Sequence, residues 1–531
     1  MKKLLLVIAL QLLAFTALAQ KELSKDYVYN SSTPYEARDG REIFFTKANE
    51  VLALKINYSN GEVYLQKFNS ESAKADLVKE TLYKDLPKKT IPINSIEFNN
   101  KYYYFYALSD GEGHDQIFVR EIDFEKGTFT GDGKLLFKVS GRASGVVTGW
   151  WFKERLNFAV LTDLNKKMLL VQYLKIDKNN KLDDQVIGIK AFDADLKIIS
   201  DKEIKLPYKK DRVEYMDYAI DGVGDSYMML KVFEGSSDRD NKKDKDGKEN
   251  SHIEIFKLKK GAAKFDITTV NAKDKFISGA RFFEHPDKYL VCAGFYNLGN
   301  PKTNNGLIYG KVDANGAVTD LKTFEIPLEI VNQYIAEREV KKNTKDFATG
   351  DVGYPYLTLN DLAIDAKGGL LLIAEQDYTE VNQGASGLSS YPSNYNDILL
   401  VKADAAGKLL WMKKIPKHQR GIYGKGSMSF KQIEANGYNY FFFIDNVKNY
   451  NLPKDKVPAE YADREHGYFT AYKVNNATGD MVCSTIFNTK DVGGLSLEEF
   501  EAENILKLVN NEILFEMNKK KKDVIIKVKL N

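Results

Sequence analysis

The chain has 531 residues, of which 43% are hydrophobic and 12% aromatic, so it can bury the core of several domains or of one large repeat assembly. Its 77 basic residues nearly balance its 74 acidic ones, and the formal net charge is only +3. This balance gives no chain-wide positive field, and we exclude nucleic acid as a partner.

The first predicted element is a secretory signal over residues 1–19. Two lysines precede an apolar run from Leu4 to Leu13, and small residues end at a cleavage site after Ala19. A membrane anchor is the weaker alternative, because the run is short and is interrupted by Gln11. No later stretch is apolar enough to span a membrane. We expect an exported protein, periplasmic or extracellular, that has no integral membrane segment.

A short module then recurs along the chain. Residues 306–327 and 396–416 share the spacing Lys-x-Asp-x-x-Gly, and both end in Ile-Pro. An alternating run predicts a strand, and Asp with Gly supplies a tight turn before a second strand, so each copy is predicted to be a β-hairpin. Looser copies extend the aligned basic positions to Lys55, Arg120, Lys190, Lys257, Lys311, Lys402, Lys473 and Lys527.

A second hairpin type precedes most of these copies. It has a short polar turn followed by a strongly apolar strand, as in residues 277–296 and 357–378. One hairpin of each type gives four strands, and repeated four-stranded units predict an all-β fold, a single β-propeller over residues 20–531. Tandem β-sandwiches are the alternative, but no linkers between them are visible. Seven or eight blades fit the count, and eight is slightly favoured.

The last unit lacks an outer strand, because the chain stops at Asn531 directly after the strand-like residues 523–530. An unpaired edge is a hazard that closed assemblies avoid. We therefore expect an N-terminal strand to pair beside 523–530 and close the ring. The candidate segments are residues 26–30, 41–47, 51–57 and 63–69.

The segment 397–416, "DILLVKADAAGKLLWMKKIP", resembles the blades of secreted bacterial β-propellers of the SBBP and quinoprotein-like kind, in which Asp-x-x-Gly precedes a Trp. The resemblance covers two segments closely and five or six loosely, and it implies the fold only. Quinoprotein dehydrogenases repeat the Trp-bearing motif in most blades, whereas here Trp411 alone has that place. We therefore predict no cofactor.

The predicted connections differ in length. With the strands of a blade named A to D from the axis outward, the A–B and C–D turns are short, and insertions fall in the B–C and D–A connections. Those two kinds of connection lie on one face of a propeller, and long loops on a rigid scaffold are where binding usually occurs. The insertions are residues 234–252, 297–305, 328–356, 379–395 and 447–466.

Three tyrosines in these insertions are the predicted ligand-binding residues. Tyr391 and Tyr395 lie among Gly and Ser, where rigid aromatic rings suit sugar or protein contact. Tyr334 lies in a predicted short helix within 328–356, on one side with Leu328 and Val331. Simple packing of these side chains at the rim is the alternative interpretation.

No metal site is predicted. Residues 234–252 are rich in Asp but lack the first and last ligands of a calcium loop. His114, His252 and His466 fall at equivalent places in different units and cannot share one ion. Cys292 and Cys483 are expected to be separate buried thiols.

We therefore predict an exported, monomeric β-propeller that binds a protein or a glycan on its loop-rich face. The alternative is a carbohydrate-active hydrolase or lyase on the same scaffold, because a fold does not fix a function. The centre of that face separates the two hypotheses, since an enzyme needs carboxylates, or an acid and a base, that converge there.

Overall fold

Eight antiparallel sheets follow one another along the chain and form a ring, which confirms an eight-bladed β-propeller. The computed structural model describes residues 23–38, 40–57, 60–71, 74–87, 90–110, 113–139, 141–144, 158–176, 185–234, 250–347, 352–365, 367–383, 389–422 and 424–530.

Two short strands, β1 (Val28–Ser31) and β2 (Tyr35–Glu36), precede the first blade. Blades 1 to 4 follow, each in the order A to D. Blade 1 contains β3 (Arg41–Lys47), β4 (Glu50–Ile56), β5 (Val63–Asn69) and β6 (Asp76–Tyr83), and blade 2 contains β7 (Ile91–Phe98), β8 (Lys101–Ser109), β9 (Asp115–Asp123) and β10 (Thr128–Lys138). Blade 3 contains β11 (Arg142–Ser144) with β12 (Phe158–Thr162), β13 (Leu169–Ile176), β14 (Val186–Phe192) and β15 (Ile198–Lys205). Blade 4 contains β16 (Val213–Ile220), β17 (Ser226–Phe233), β18 (Ser251–Leu258) and β19 (Asp266–Val270).

Blades 5 to 8 complete the ring, and two-residue strands β26 (Asn382–Gln383), β27 (Ser389–Ser390) and β32 (Tyr461–Ala462) lie in their loops. Blade 5 contains β20 (Phe276–Glu284), β21 (Leu290–Asn297), β22 (Gly306–Val312) and β23 (Val318–Glu325), and blade 6 contains β24 (Leu357–Ile364), β25 (Leu370–Thr379), β28 (Ser393–Ala403) and β29 (Leu409–Gly421). Blade 7 contains β30 (Lys431–Ala435), β31 (Tyr438–Asp445), β33 (Tyr468–Asn475) and β34 (Met481–Asn488). Blade 8 contains β35 (Glu499–Phe500) with β36 (Leu506–Lys507), β37 (Glu512–Lys519) and β38 (Lys522–Lys529).

The core lies between the blades. The described residues form eight clusters of buried apolar side chains, one at each junction of neighbouring blades. The B strands contribute to the clusters on both of their faces, and every residue of β17 and β21 is buried. This explains why these strands read as continuous apolar runs rather than as alternating ones.

The recurring module is scaffold. In blade 6 the Oδ1 atom of Asp404 accepts the N–H groups of Ala406 and Lys408, at 3.0 and 2.8 Å, and so shapes the C–D turn. The amine of Lys402 lies 2.6 Å from Asp365 in the neighbouring A–B turn. The turn glycine packs on the preceding blade: at Gly479, which has a φ of 70°, a Cβ atom would lie 2.7 Å from the ring of Trp411.

One member of the aligned set is misplaced by the sequence alignment. Seven of the eight basic residues lie on C strands, but Lys55 lies on β4, the B strand of blade 1. Residues 51–69 form the B–C hairpin of that blade. A hairpin with Asn and Gly in its turn looks the same from sequence at either position, and the count of eight was correct nevertheless.

The ring closes as predicted. Strand β1 pairs antiparallel with β38, with Val28 opposite Lys529 and Ser31 opposite Ile526. It supplies the outer strand that blade 8 lacks. Strand β2 pairs with the beginning of β38, with Tyr35 opposite Asp523.

The prediction of a single helix at the start of residues 328–356 is wrong. Two helices form instead, α1 (Leu328–Val331) and α2 (Glu337–Asp346). Between them Tyr334 adopts a left-handed φ of 61°, and its N–H donates to the carbonyl of Lys454 in blade 7 at 2.6 Å. That bond to another blade competes with helix continuation. Neither described helix has the length and apolarity needed to cross a bilayer.

Both cysteines are free and buried, as predicted. Cys292 lies on β21 in blade 5 and Cys483 on β34 in blade 7. Burial raises the pKa of the Cys292 thiol to about 12. Cys292 is therefore not a reactive thiolate candidate in the folded protein.

Candidate functional site

The long insertions lie where the sequence placed them, in the B–C connections of blades 4 to 7 and in the D–A connection between blades 5 and 6. The insertion at 234–252 lies largely outside the described residues. Two concave regions occupy this loop-rich face. We call them the blade-6 cavity, of about 930 Å³, and the axial pocket, of about 220 Å³.

The blade-6 cavity is built from several insertions. Its walls are α1, α2, the B–C loop of blade 5 and residues 457–458 of blade 7. Its floor is formed by residues 352–356 and by the parts of β25, β28 and β29 that reach the loop-rich face. Its volume lies in the range of small-molecule and cofactor sites.

Two stacked tyrosines form an aromatic platform in this cavity. The rings of Tyr356 and Tyr378 have centroids 4.6 Å apart and planes inclined by 24°. Tyr356 is 53% exposed and has a left-handed φ of 57°, at the turn that leads into β24. Tyr378 lies near the end of β25, and Asn396 donates to its hydroxyl at 3.4 Å. The platform therefore presents an aromatic face to solvent beside amide and hydroxyl groups.

Buried ion pairs support the floor. The Tyr354 hydroxyl donates to Asp397 at 2.8 Å, and the amine of Lys414 lies 3.1 Å from the same carboxylate. The amine of Lys417 lies 2.8 Å from Glu375. Burial lowers the pKa of Lys417, and Glu375 opposes that shift. Since these charges are paired, the floor is a rigid support rather than a source of free acid or base.

One histidine reaches the cavity. A ring nitrogen of His418, Nδ1, lies 3.2 Å from the carbonyl of Pro458, and Nε2 lies 3.8 Å from Glu460. Because a carbonyl oxygen can only accept, Nδ1 is the donor of that bond, and Nε2 faces the Glu460 carboxylate.

The structure brings one of the three predicted tyrosines into this cavity. Tyr334 lines it and is 7% exposed. Tyr391 is exposed at the tip of blade 6, outside the lining. Tyr395 also lies outside the lining, and burial followed by Asp377 raises its pKa above the usual range.

Sequence reasoning missed the platform. A signal was present, because residues 354–356 read Tyr-Pro-Tyr at the end of the longest insertion. The partner Tyr378 ends an apolar strand and looked like part of the core. Only the packing of β24 on β25 shows that the two rings meet.

The axial pocket is acidic. Glu42, Glu516 and Asp523 could each offer an oxygen to one ion, within 4.8 Å of one another. The amine of Lys55 already lies among them, at 2.9, 2.6 and 2.7 Å respectively. Burial acts to lower the pKa of Lys55, but the three carboxylates outweigh it and raise the pKa above its usual range. A lysine thus supplies the positive charge that a cation would bring.

Glu501 lies at the mouth of the axial pocket. Its side chain is exposed at the surface, and partial desolvation together with the neighbouring Glu42 and Glu503 raises the pKa of its carboxyl. The carboxylate of Glu42, by contrast, forms an ion pair with the amine of Lys55 at 2.9 Å. The pocket therefore brings several carboxyl groups together, which is one requirement of acid–base chemistry.

No protein-family model matches the chain, and no curated protein matches it significantly. Among solved structures it is similar to the polysaccharide lyase Uly1, with 10% identity, coverage of 97% of this chain and 94% of that one, and a TM-score of 0.39. It is similar to an uncharacterized protein, lmo1340, from Listeria monocytogenes EGD-e, at 8% identity, 81% and 90% coverage, and a TM-score of 0.37. It is also similar to the WD40 domain of SCAP from fission yeast, at 5% identity, 96% and 99% coverage, and a TM-score of 0.37. The assignment of this chain to the eight-bladed β-propellers rests on its own strand pairing.

Proposed function

We propose that this protein is a binding protein that recognises a glycan in the blade-6 cavity. The observation that supports the proposal is the exposed Tyr356–Tyr378 platform, set in a cavity beside amide groups. Sugar rings have apolar C–H faces that pack on aromatic rings and hydroxyl edges that bond to polar side chains. A protein ligand is less favoured, because the site is concave whereas protein interfaces need a broad surface.

Replacing Tyr356 with alanine tests this proposal. We expect binding of the recognised polysaccharide, measured by titration calorimetry, to weaken at least tenfold, which corresponds to ~1.4 kcal/mol. The melting temperature should change little, because half of the Tyr356 side chain is in water.

Tyr391→Ala is the matched control, since Tyr391 is equally exposed on the same face but lies outside the cavity lining. Its affinity should stay within twofold of the wild-type value. Equal losses in the two variants, or wild-type protein that binds no polysaccharide, would contradict the assignment of the cavity.

A second candidate function is a carbohydrate-active hydrolase or lyase, and the carboxyl groups that converge in the axial pocket, Glu501 and Glu42 among them, favour it. Glycoside hydrolysis uses one protonated and one ionised carboxyl group. The polysaccharides used for binding should therefore also be followed for new chain ends. If the wild-type protein released new chain ends and Glu501→Gln abolished that release, the protein would be an enzyme rather than a binding protein.

Two further points are proposals. The proposal that the protein is exported is based on the signal-like sequence of residues 1–19, which lie outside the described residues. Kinship of the blade repeat with secreted SBBP and quinoprotein-like propellers depends on the sequence of residues 397–416.

A further inference from the structure

The two concave regions of the loop-rich face differ in charge. Four lysines and three carboxylates line the blade-6 cavity. Five carboxylates and two arginines line the axial pocket. The lysines of the blade-6 cavity are balanced by these three carboxylates and by Glu375, whereas the excess of carboxylates in the axial pocket repels a negatively charged ligand.

The positive charge that remains available in the cavity lies at its rim. The floor lysines are paired with Asp397 and Glu375. Lys302, in the B–C loop of blade 5, and Lys342, on α2, are exposed, and neither forms an ion pair with a described residue. They come from two different insertions, and both line the cavity.

The acidic groups of the same rim already have partners. Glu339 accepts the backbone N–H of Ala336 at 3.4 Å, at the beginning of α2. Asp346, at the other end of that helix, also takes part in an interaction of its own. Both carboxylates keep their negative charge, and Lys302 and Lys342 differ from them in that their side chains have no partner among the described residues.

We propose that the glycan is anionic and that Lys302 and Lys342 contact its carboxylate or sulfate groups while a sugar ring stacks on Tyr356. This inference rests on the proposed glycan site and adds the class of the glycan. Arranged in this way, the platform provides apolar contact and the rim selects charge.

The test compares four polymers by titration at about 50 mM and about 300 mM salt: polygalacturonate, dextran sulfate, neutral dextran and poly-glutamate. We expect an anionic polysaccharide to bind, and the double variant Lys302→Gln, Lys342→Gln to weaken that binding about fivefold to tenfold at low salt. The loss should shrink at high salt, where surface charges are screened. The two anionic sugars separate carboxylate from sulfate recognition.

Lys341→Gln is the control, because Lys341 neighbours Lys342 but lies outside the cavity lining and pairs with Glu337 at 2.6 Å. It should change the affinity less than twofold. If neutral dextran bound as tightly as the anionic sugars, and the double variant did not weaken that binding, the inference about charge would be overturned. The proposed glycan site would remain. Binding of poly-glutamate as tight as that of the sugars would keep the basic rim but refute glycan recognition. Absence of all binding would refute both proposals.

Discussion

Replacing Lys55 with methionine is expected to lower the free energy of unfolding by about 3–5 kcal/mol. The Lys55 side chain is fully buried, and its amine joins Glu42 of blade 1 to Glu516 and Asp523 of blade 8. These two blades are the first and the last of the ring, so the cluster ties the ring at its closing junction. Removing the lysine leaves the buried carboxylates of Glu516 and Asp523 without a compensating positive charge, which costs more than the intact cluster contributes.

Chemical denaturation at neutral pH measures this loss. Lys101→Ala is the control, since Lys101 pairs with Glu121 at 3.1 Å in an exposed position and should change stability by less than about 0.5 kcal/mol.

The pH dependence of the Lys55→Met variant has a definite sign. Without the lysine, burial and mutual repulsion raise the folded-state pKa of the carboxyl groups above their unfolded values. Such groups destabilise the fold once the pH exceeds the unfolded pKa. The difference in the free energy of unfolding between the variant and the wild type should therefore become smaller as the pH falls toward about 4. A gap that stays constant would place its cause in lost packing rather than unpaired charge.

Deleting residues 523–531 is expected to abolish folding. Strand β38 and the residue after it contain five aliphatic side chains that are at most 2% exposed: Val524, Ile525, Ile526, Val528 and Leu530. At roughly 1.5–3 kcal/mol for each buried side chain, their loss is comparable with the whole stability of a typical domain. The deletion also removes the strand between β37 and β1. Circular dichroism and the yield of soluble monomer would report the effect.

A shorter deletion at the other end gives a graded comparison. A chain that begins at residue 32 lacks β1, which lies at the outer edge and has no fully buried residue. We expect it to fold with a lower melting temperature and to associate through the exposed edge of β38. Unchanged melting in the 523–531 deletion would show that the ring does not depend on this closure.

The repeated elements could be predicted from the amino-acid sequence alone. Alternation and apolar runs define strands, and Asp with Gly defines turns, because both depend on residues that are close in the chain. Counting hairpins predicted eight blades, and the lengths of the connections predicted the loop-rich face. The final strand without a partner, at 523–530, predicted that the two ends pair.

Features that depend on contacts between distant residues appear only in the folded protein. Lys55 looked like one more repeat position, and its role appears only when residues more than 400 positions away surround it. Tyr334 fits a helical pattern, but a bond to blade 7 stops the helix there. Tyr356 and Tyr378 become a platform only because β24 packs beside β25. Local patterns fix strands and turns, whereas the environment of a side chain is set by which segments the closed ring brings together.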